Sequence, residues 1–464
     1  MDEGSAAPRT HPEIRVPWSR SDRPVPRRVL RPLQEFLATS TAGATLLLAA
    51  VVLALAWANS PWSPSYETLW SARAEVRLGS WAIDLDLRQW VNEGLMTLFF
   101  LVVGLEIKRE FLAGELRRFR VALLPVIAAA SGMAAPALLF TALVRGGEGA
   151  RGWGIPMATD IVFALGVLAL AGAGVPSGLR SLLLGLAIVD DIGSVLVVAL
   201  FYPGEIAATW LLVGAVAAGA IVAFPKLSIR ASAVYIGLGI TMWYAFFQAG
   251  LHPAIAGVAV GLLTPSEPFQ RPRAVSEEAR RTADATSDTP TPPDVDGPLW
   301  LRLADLSREA VSPLARVEHL LLPWTSFVVL PVFALANVGV GLSPSSLAAA
   351  AGSVLAWAIV VARVLGKFVG IWGGSIAAAR ARLVDRPAGV DDRHLGAMAV
   401  AAGTGFTVPL FIAELAFAEG PLLDHARIAL LASSLVSAIV GVVLLRRSSR
   451  RDRGGSPAVP ARST

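Results

Sequence analysis

Long apolar runs separated by short polar stretches fill the chain from about residue 41 onward. Candidate spans lie near 41–58, 91–107, 121–144, 155–172, 179–201, 207–224, 231–249, 251–263, 320–340, 347–378, 394–418 and 426–445, twelve in all. About 20 apolar residues of helix cross a bilayer core, so most of these runs fit one crossing each. The eighth is short, and the tenth is long enough to tilt or to begin before the bilayer. Two stretches break the pattern. Residues 264–311 are charged and Pro-rich without apolar periodicity, and are expected to form a mostly disordered loop that divides eight spans from four. Val76 to Leu87, VRLGSWAIDLDL, alternates apolar residues on both sides of Gly79-Ser80. A Gly-Ser pair suits a type II′ turn, so a β-hairpin is predicted there, with an edge free to pair with a second copy of the chain.

Composition sharpens this picture. The 464 residues are 54% hydrophobic and 16% charged, with mean hydropathy +0.60, whereas a soluble domain carries about 25% charged residues. An all-α integral membrane protein is expected. The absence of cysteine excludes disulfides, thiolate metal sites and cysteine nucleophiles. The sequence pI is near 10.0, yet the basic residues fall in loops and tails rather than on an aromatic-laced patch. No nucleic acid is implied. One side of the span pattern holds only Arg73, Arg77, Arg88, Arg145, Arg151 and Arg427 in its loops, and the other side holds most of the Lys and Arg. That bias places both termini in the cytoplasm. The expected organisation is a mostly disordered cytoplasmic tail over 1–38, a transporter domain over 39–447 that contains the 264–311 insertion, and a cytoplasmic tail over 448–464. The first run ends in AWANS, a faint signal-peptidase pattern, but the polar stretch before it is too long for a signal peptide, and a retained first helix is expected.

Few ionisable residues lie within the runs, and they carry the chemistry. The fifth span, LLLGLAIVDDIGSVLVVAL, holds Asp190 and Asp191 side by side at its centre, each costing roughly 2.5–3.5 kcal/mol on insertion scales. Adjacent helical residues point about 100° apart, so the two cannot face one partner. One can meet a cation in a cavity while the other meets a basic side chain, such as Lys367 in the tenth span. A buried carboxylate near a cation site chooses between a proton and a metal ion, which is the chemistry of proton-coupled cation exchange. Thr159-Asp160 follows Pro156 in GIPMATD, and AAGTGFTVP, Ala401 to Pro409, combines two glycines, two threonines and a proline. These sequences predict breaks in the fourth and eleventh spans, freeing backbone carbonyls at a midplane site. Carboxylates, Thr159 and free carbonyls suit a hard ion such as sodium or lithium. Arg363, one turn before Lys367, is a second buried cation that could snorkel or compete for Asp190.

The chain resembles the bacterial NhaA-type sodium–proton antiporters, themselves a standard example of inverted repeats and broken helices. The resemblance runs from about Pro32 to Arg446 through WANS, FFLVVGLEIKREFLAGEL, GWGIPMATDIVFALGVLAL, LAIVDDIG, LHPAIAGV, VEHLLLPWTSFVVLPVFALANVGV, LGKFVGI and GTGFTVPLFIAELAF. It implies twelve transmembrane helices with inverted-topology repeats, crossing fourth and eleventh spans, and electrogenic export of Na+ or Li+ against inward H+ across the bacterial inner membrane, with no cofactor. It implies that Asp191 is the principal ion ligand, that Asp190 pairs with Lys367, that Thr159 and Asp160 lie at the crossing, and that Asp160 balances helix ends. Cation ligands would come from Asp191, Asp190 and Thr159. Glu106, Arg109, Glu110, His252 and Glu318 match positions tied to pH response near the inner funnel, and the 76–87 hairpin matches a homodimer contact. Departures from the family pattern are Arg363, Phe368 after the lysine, Val408-Pro409 after GFT, and a longer 264–311 insertion.

Three other functions fit parts of this pattern. An intramembrane aspartyl protease also needs two buried aspartates, but no GxGD pattern occurs and the Asp pair with its lysine stays unexplained. A cation-coupled symporter of an organic solute, with the same broken-helix architecture, is the closer rival. Nothing resembles a channel filter.

Overall fold

The computed structural model describes residues 42–454 apart from 79–80, 115–116, 118, 173, 228, 230, 288–292 and 388. The expected tail over 1–38, the end of the expected tail over 448–464, and the Gly79-Ser80 turn lie outside the described residues.

The elements in chain order are α1 (Ala42–Ala58), α2 (Ser63–Trp70), β1 (Arg73–Leu78), β2 (Trp81–Asp86), α3 (Leu87–Ala113), α4 (Phe119–Leu143), α5 (Ile161–Ala171), α6 (Ser177–Phe201) and α7 (Ala208–Ala223). They continue as α8 (Ser232–Gln248), α9 (Ala254–Leu263), α10 (Pro272–Ser287), α11 (Pro293–Glu309), α12 (Pro313–Asn337), α13 (Pro344–Gly352), α14 (Val354–Arg380), α15 (Asp392–Ala401), α16 (Thr407–Ala416) and α17 (Pro421–Gly454). Among the described residues, α3, α4, α6, α12, α14 and most of α17 are long and apolar enough to cross a membrane. The shorter helices α5, α7, α9 and α16 are also apolar, and α1 and α2 form a pair bent by 115°. The chain is a multi-pass helical membrane protein. Strands β1 and β2 pair antiparallel from Arg73↔Asp86 to Leu78↔Trp81, as the alternation predicts.

One expectation is corrected. The 264–311 insertion is not mostly disordered among its described residues, because α10 and α11 fill much of it. Each opens with a proline, which suits a first helical turn. On α10 the inward face is Val275, Ala279, Thr282 and Thr286, a helical period written in small residues that a search for large apolar ones passes over. Arg302 reaches Glu278 at 3.7 Å, and the Gln270 side-chain amide donates to Glu309 at 3.0 Å, tying the segment together. The tenth apolar run begins in a separate short helix, α13, ahead of the long α14. Ser353 leaves the helix at ψ 124° and its hydroxyl accepts from the Ala356 N–H, starting α14 afresh.

Small residues set how closely the helices approach. A Cβ on Gly104 of α3 would lie 2.5 Å from the Val258 carbonyl of α9, and one on Gly257 would lie 2.3 Å from that of Thr97. Between α14 and α4, a Cβ on Gly370 would lie 2.3 Å from the Ser131 carbonyl. Without a hydrophobic drive between helices in lipid, such backbone proximity supplies the packing. Helix α14 also contains a π-turn, Ala362–Gly366, directly before Lys367; such turns recur at functional sites.

Two apolar clusters flank the centre. One takes Val198 of α6, Ile359 and Ala362 of α14, and Phe406, Val408 and Phe411 around α16. The other takes Leu182, Leu183 and Leu186 of α6, Ile371 of α14, and Leu395 to Ala402 around α15. On α6 and α14, the polar residues considered next lie between the two clusters.

Candidate functional site

Two interruptions of helix bound the site. A 3-10 turn, Glu148–Gly154, leads through residues 155–160 to α5, where Asp160 is the N-cap with ψ 112°. The chain therefore leaves helical geometry at 158–160, just after Pro156, rather than at the proline itself. The second interruption separates α15 from α16 at residues 402–406. Helix α15 is itself capped by Asp391, whose Oδ1 accepts from the N–H groups of Arg393 at 3.0 Å and His394 at 2.8 Å. Burial pushes the Asp391 carboxyl up, but those N–H groups and the His394 ring outweigh it and hold the group below its ordinary range.

Asp160 serves the open donor ends of both breaks. Its Oδ1 accepts from the N–H of Val162 at 3.0 Å and Phe163 at 3.3 Å, at the start of α5. Its Oδ2 accepts from the Thr407 hydroxyl at 2.6 Å and the Thr407 N–H at 3.2 Å, at the start of α16. Helix N-termini carry partial positive charge, so one carboxylate compensates two helices. Thr407, one of the two threonines in AAGTGFTVP, was not singled out from sequence.

Lys367 and the adjacent aspartates complete the layer. Lys367 Nζ donates to Asp190 Oδ2 at 2.7 Å and to Thr159 Oγ1 at 2.8 Å, and all three side chains are enclosed. Asp190 Oδ1 has no hydrogen-bond partner, and neither do the buried hydroxyls of Ser194 and Thr404. Asp191, the next residue round α6, is 5% exposed. Asp160, Thr159, Asp190, Asp191 and Lys367 thus lie in one buried polar layer. Among the described residues, no three His, Asp or Glu side chains form a resident metal cluster.

Arg363 behaves unlike either expectation. It neither snorkels nor bonds Asp190, but is wholly buried with its guanidinium on backbone carbonyls: Gly405 at 2.7 Å, Gly403 at 3.0 Å and Ala158 at 3.4 Å.

A second cluster gathers toward the end of α3. Arg109 pairs with Glu318 of α12 and lies 3.9 Å from Glu106, while Lys108 donates to the Thr264 carbonyl at 2.7 Å. Glu110 is half-buried one turn along from Glu106. His252 does not join them, which corrects the expectation of a single group at the inner funnel. Its Nε2 lies 3.3 Å from Glu93 Oε2, and its ring meets Phe411 edge-on at 4.7 Å. Glu93 precedes Glu106 on α3 by about 20 Å at 1.5 Å per residue. The Ala254 N–H donates to His252 Nδ1 at 3.2 Å, so a neutral ring carries its proton on Nε2, facing Glu93. The pair lines a polar cavity of about 380 Å³ at the hairpin end, with Glu67, Asp86, Glu414 and Glu419. Arg88 bonds Glu67 and Glu419 at its rim, and Arg427 bonds Glu414 at 2.8 Å.

The profile of a family described as Na+/H+ antiporter 1 matches residues 34–445. The chain is 42% identical to the Na+/H+ antiporter NhaA 2 of Sorangium cellulosum, with 94% of each chain covered. It is 44% identical to the Na+/H+ antiporter NhaA of an Anaeromyxobacter species over 91% of this chain and 92% of that one. Na+/H+ antiporter NhaA 3 of Frankia alni is 42% identical over 95% of this chain and 92% of its own.

Proposed function

Because the chain belongs to the Na+/H+ antiporter 1 family, we propose that it exports Na+ or Li+ from the cell in exchange for inward-moving H+. One observation carries the reading. Two adjacent carboxylates sit where two helices are interrupted, and the lysine there bonds only one of them, Asp190. Asp191 is left to bind the cargo cation, with Asp190 Oδ1, Thr159 and backbone carbonyls of the breaks as further oxygen ligands. Cation and proton compete for the same carboxylate, so loading one releases the other. Asp190 and Lys367 carry an exchangeable proton between them, and Asp160 holds the helix ends in place. The cargo ions are the only ones required, with no resident cofactor.

The two interruptions are the broken fourth and eleventh of twelve spans in the bacterial inner membrane, with both termini cytoplasmic. The inner funnel then opens near Glu106, Arg109, Glu110 and Glu318, a coupled carboxylate group whose protonation gates access, while His252 acts at the opposite mouth. The hairpin pairs two protomers into a homodimer. In alkaline surroundings the cell interior is the more acidic side, so one-for-one exchange could not expel sodium. Moving one extra positive charge inward gains about 2.3 kcal/mol per 100 mV, and exchange of more protons than sodium ions is therefore electrogenic. The enclosed polar layer, whose groups meet at hydrogen-bond distances, supports a bare ion as cargo over the organic solute of a symporter.

Proteoliposomes loaded with a pH-sensitive dye and a potential-sensitive dye test this reading. Na+ addition should move protons and generate a potential with no other solute present. Sodium movement that required an organic solute and displaced no protons would replace antiport with symport.

A further inference from the structure

The sequence offers two buried cations one helical turn apart on α14, and their hydrogen bonds divide cleanly. Every hydrogen bond of Arg363 goes to a backbone carbonyl, at Ala158 of the first break and at Gly403 and Gly405 of the second. Those of Lys367 go to side chains, Asp190 and Thr159. The carbonyls of Ala158, Gly403 and Gly405 lie in the non-helical links beyond the helix ends and need donors, as the N–H ends of the following helices need the acceptor that Asp160 supplies. The space around the guanidinium is shaped for it. A Cβ on Gly405 would lie 2.9 Å from Arg363 Nη2 and 2.9 Å from the Asp160 N–H nitrogen.

We propose that Arg363 is a positioning residue that ties the non-helical carbonyls of both breaks together, and that this leaves Lys367 to pair with Asp190. The inference rests on the antiport reading only for its transport consequence. A guanidinium's planar fork spans several acceptors at once, whereas an ammonium is a compact point charge. Tying the two breaks together and pairing with Asp190 therefore fall to different residues. The charged groups around the pair are Asp160 from the first break and Asp190 and Asp191 from α6.

Two measurements test it. The first is structural and needs no transport. In Arg363→Met, Lys367 should leave Asp190 for the exposed carbonyls of residues 403 and 405. A variant structure with Lys367 still on Asp190 and both breaks unchanged overturns the proposal. In Lys367→Gln, Arg363 should stay on its carbonyls, and a guanidinium found on Asp190 instead overturns it equally, even where Arg363→Met does not assemble. The second is the pH profile of Na+-driven proton release. Arg363→Met should move its midpoint up by about one unit, a tenfold change in proton competition, and Arg363→Lys should restore at least half of that shift. A profile identical to wild type in an assembled Arg363→Met would reduce Arg363 to packing. Absence of any Na+-driven proton movement in the wild-type protein would defeat the antiport reading, and the structural arm would still decide the role of Arg363.

Discussion

Removing Lys367 alone should cost more stability than removing Lys367 and Asp190 together. The pair is bonded at 2.7 Å, with side-chain exposures of 1% and 0%. Breaking a buried ion pair from one side leaves an uncompensated charge, worth about 3–5 kcal/mol, whereas replacing both partners by neutral groups of similar shape is close to neutral. At about 2.1 cal/mol/K of unfolding entropy per residue, 464 residues give roughly 1 kcal/mol per degree, so the single substitution should lower the melting temperature by about 3–5 °C. Lys367→Gln, Asp190→Asn and the double variant would be melted in detergent at pH 8.5. At pH 8.5 the double variant should recover most of the Lys367→Gln loss. A double variant as unstable as Lys367→Gln, or a Lys367→Gln protein melting like wild type at pH 8.5, would refute this account of the pair.

Four further outcomes are expected. In proteoliposomes the Lys367→Gln, Asp190→Asn double variant should exchange one proton fewer per cycle and become insensitive to membrane potential, and wild-type voltage dependence would send the second proton elsewhere. Glu318→Gln should shift the pH–activity curve, because its bond to Arg109 would lose its charge; unchanged curves in Glu106, Glu110 and Glu318 variants alike would make the cluster a topology signal. Deleting residues 76–87 should yield monomers that still transport, and an unchanged detergent mass would remove the hairpin from the contact. Asp391→Ala should cost about 1 kcal/mol as a lost N-cap. The Asp391 carboxyl is held below its ordinary range, so the stability it adds is present above the unfolded carboxylate pKa of about 3.9 and is lost as pH falls through the lower folded value. Melting curves that differ equally at pH 7 and well below the carboxylate range would contradict that.

Hydropathy located the long helices because a membrane span is a continuous apolar run, and Asp190, Asp191 and Lys367 stood out because charge is costly there. The hairpin was legible from strict alternation. Where the reading failed, the missing information was tertiary. Residues 272–287 present Ala and Thr to α11, a period too weakly apolar to register. The interruption of the tenth run at Ser353 depends on one hydroxyl accepting the Ala356 N–H. The sequence shows charged partners for Arg363 only in the aspartate pair of α6, and its actual partners are carbonyls contributed by residues 158, 403 and 405. His252 looked like part of one titrating group, since a position along the chain does not reveal that its partner is Glu93, at the far end of α3 from Glu106.

The most direct test of the central claim is Na+-driven proton release from proteoliposomes containing wild-type or Asp191→Asn protein, with assembly checked by detergent mass. Wild-type vesicles should respond to Na+ within the alkaline range, and Asp191→Asn vesicles should show no response at any Na+ concentration. Proton release of wild-type size from Asp191→Asn vesicles would mean that the adjacent aspartates of α6 do not carry the ion.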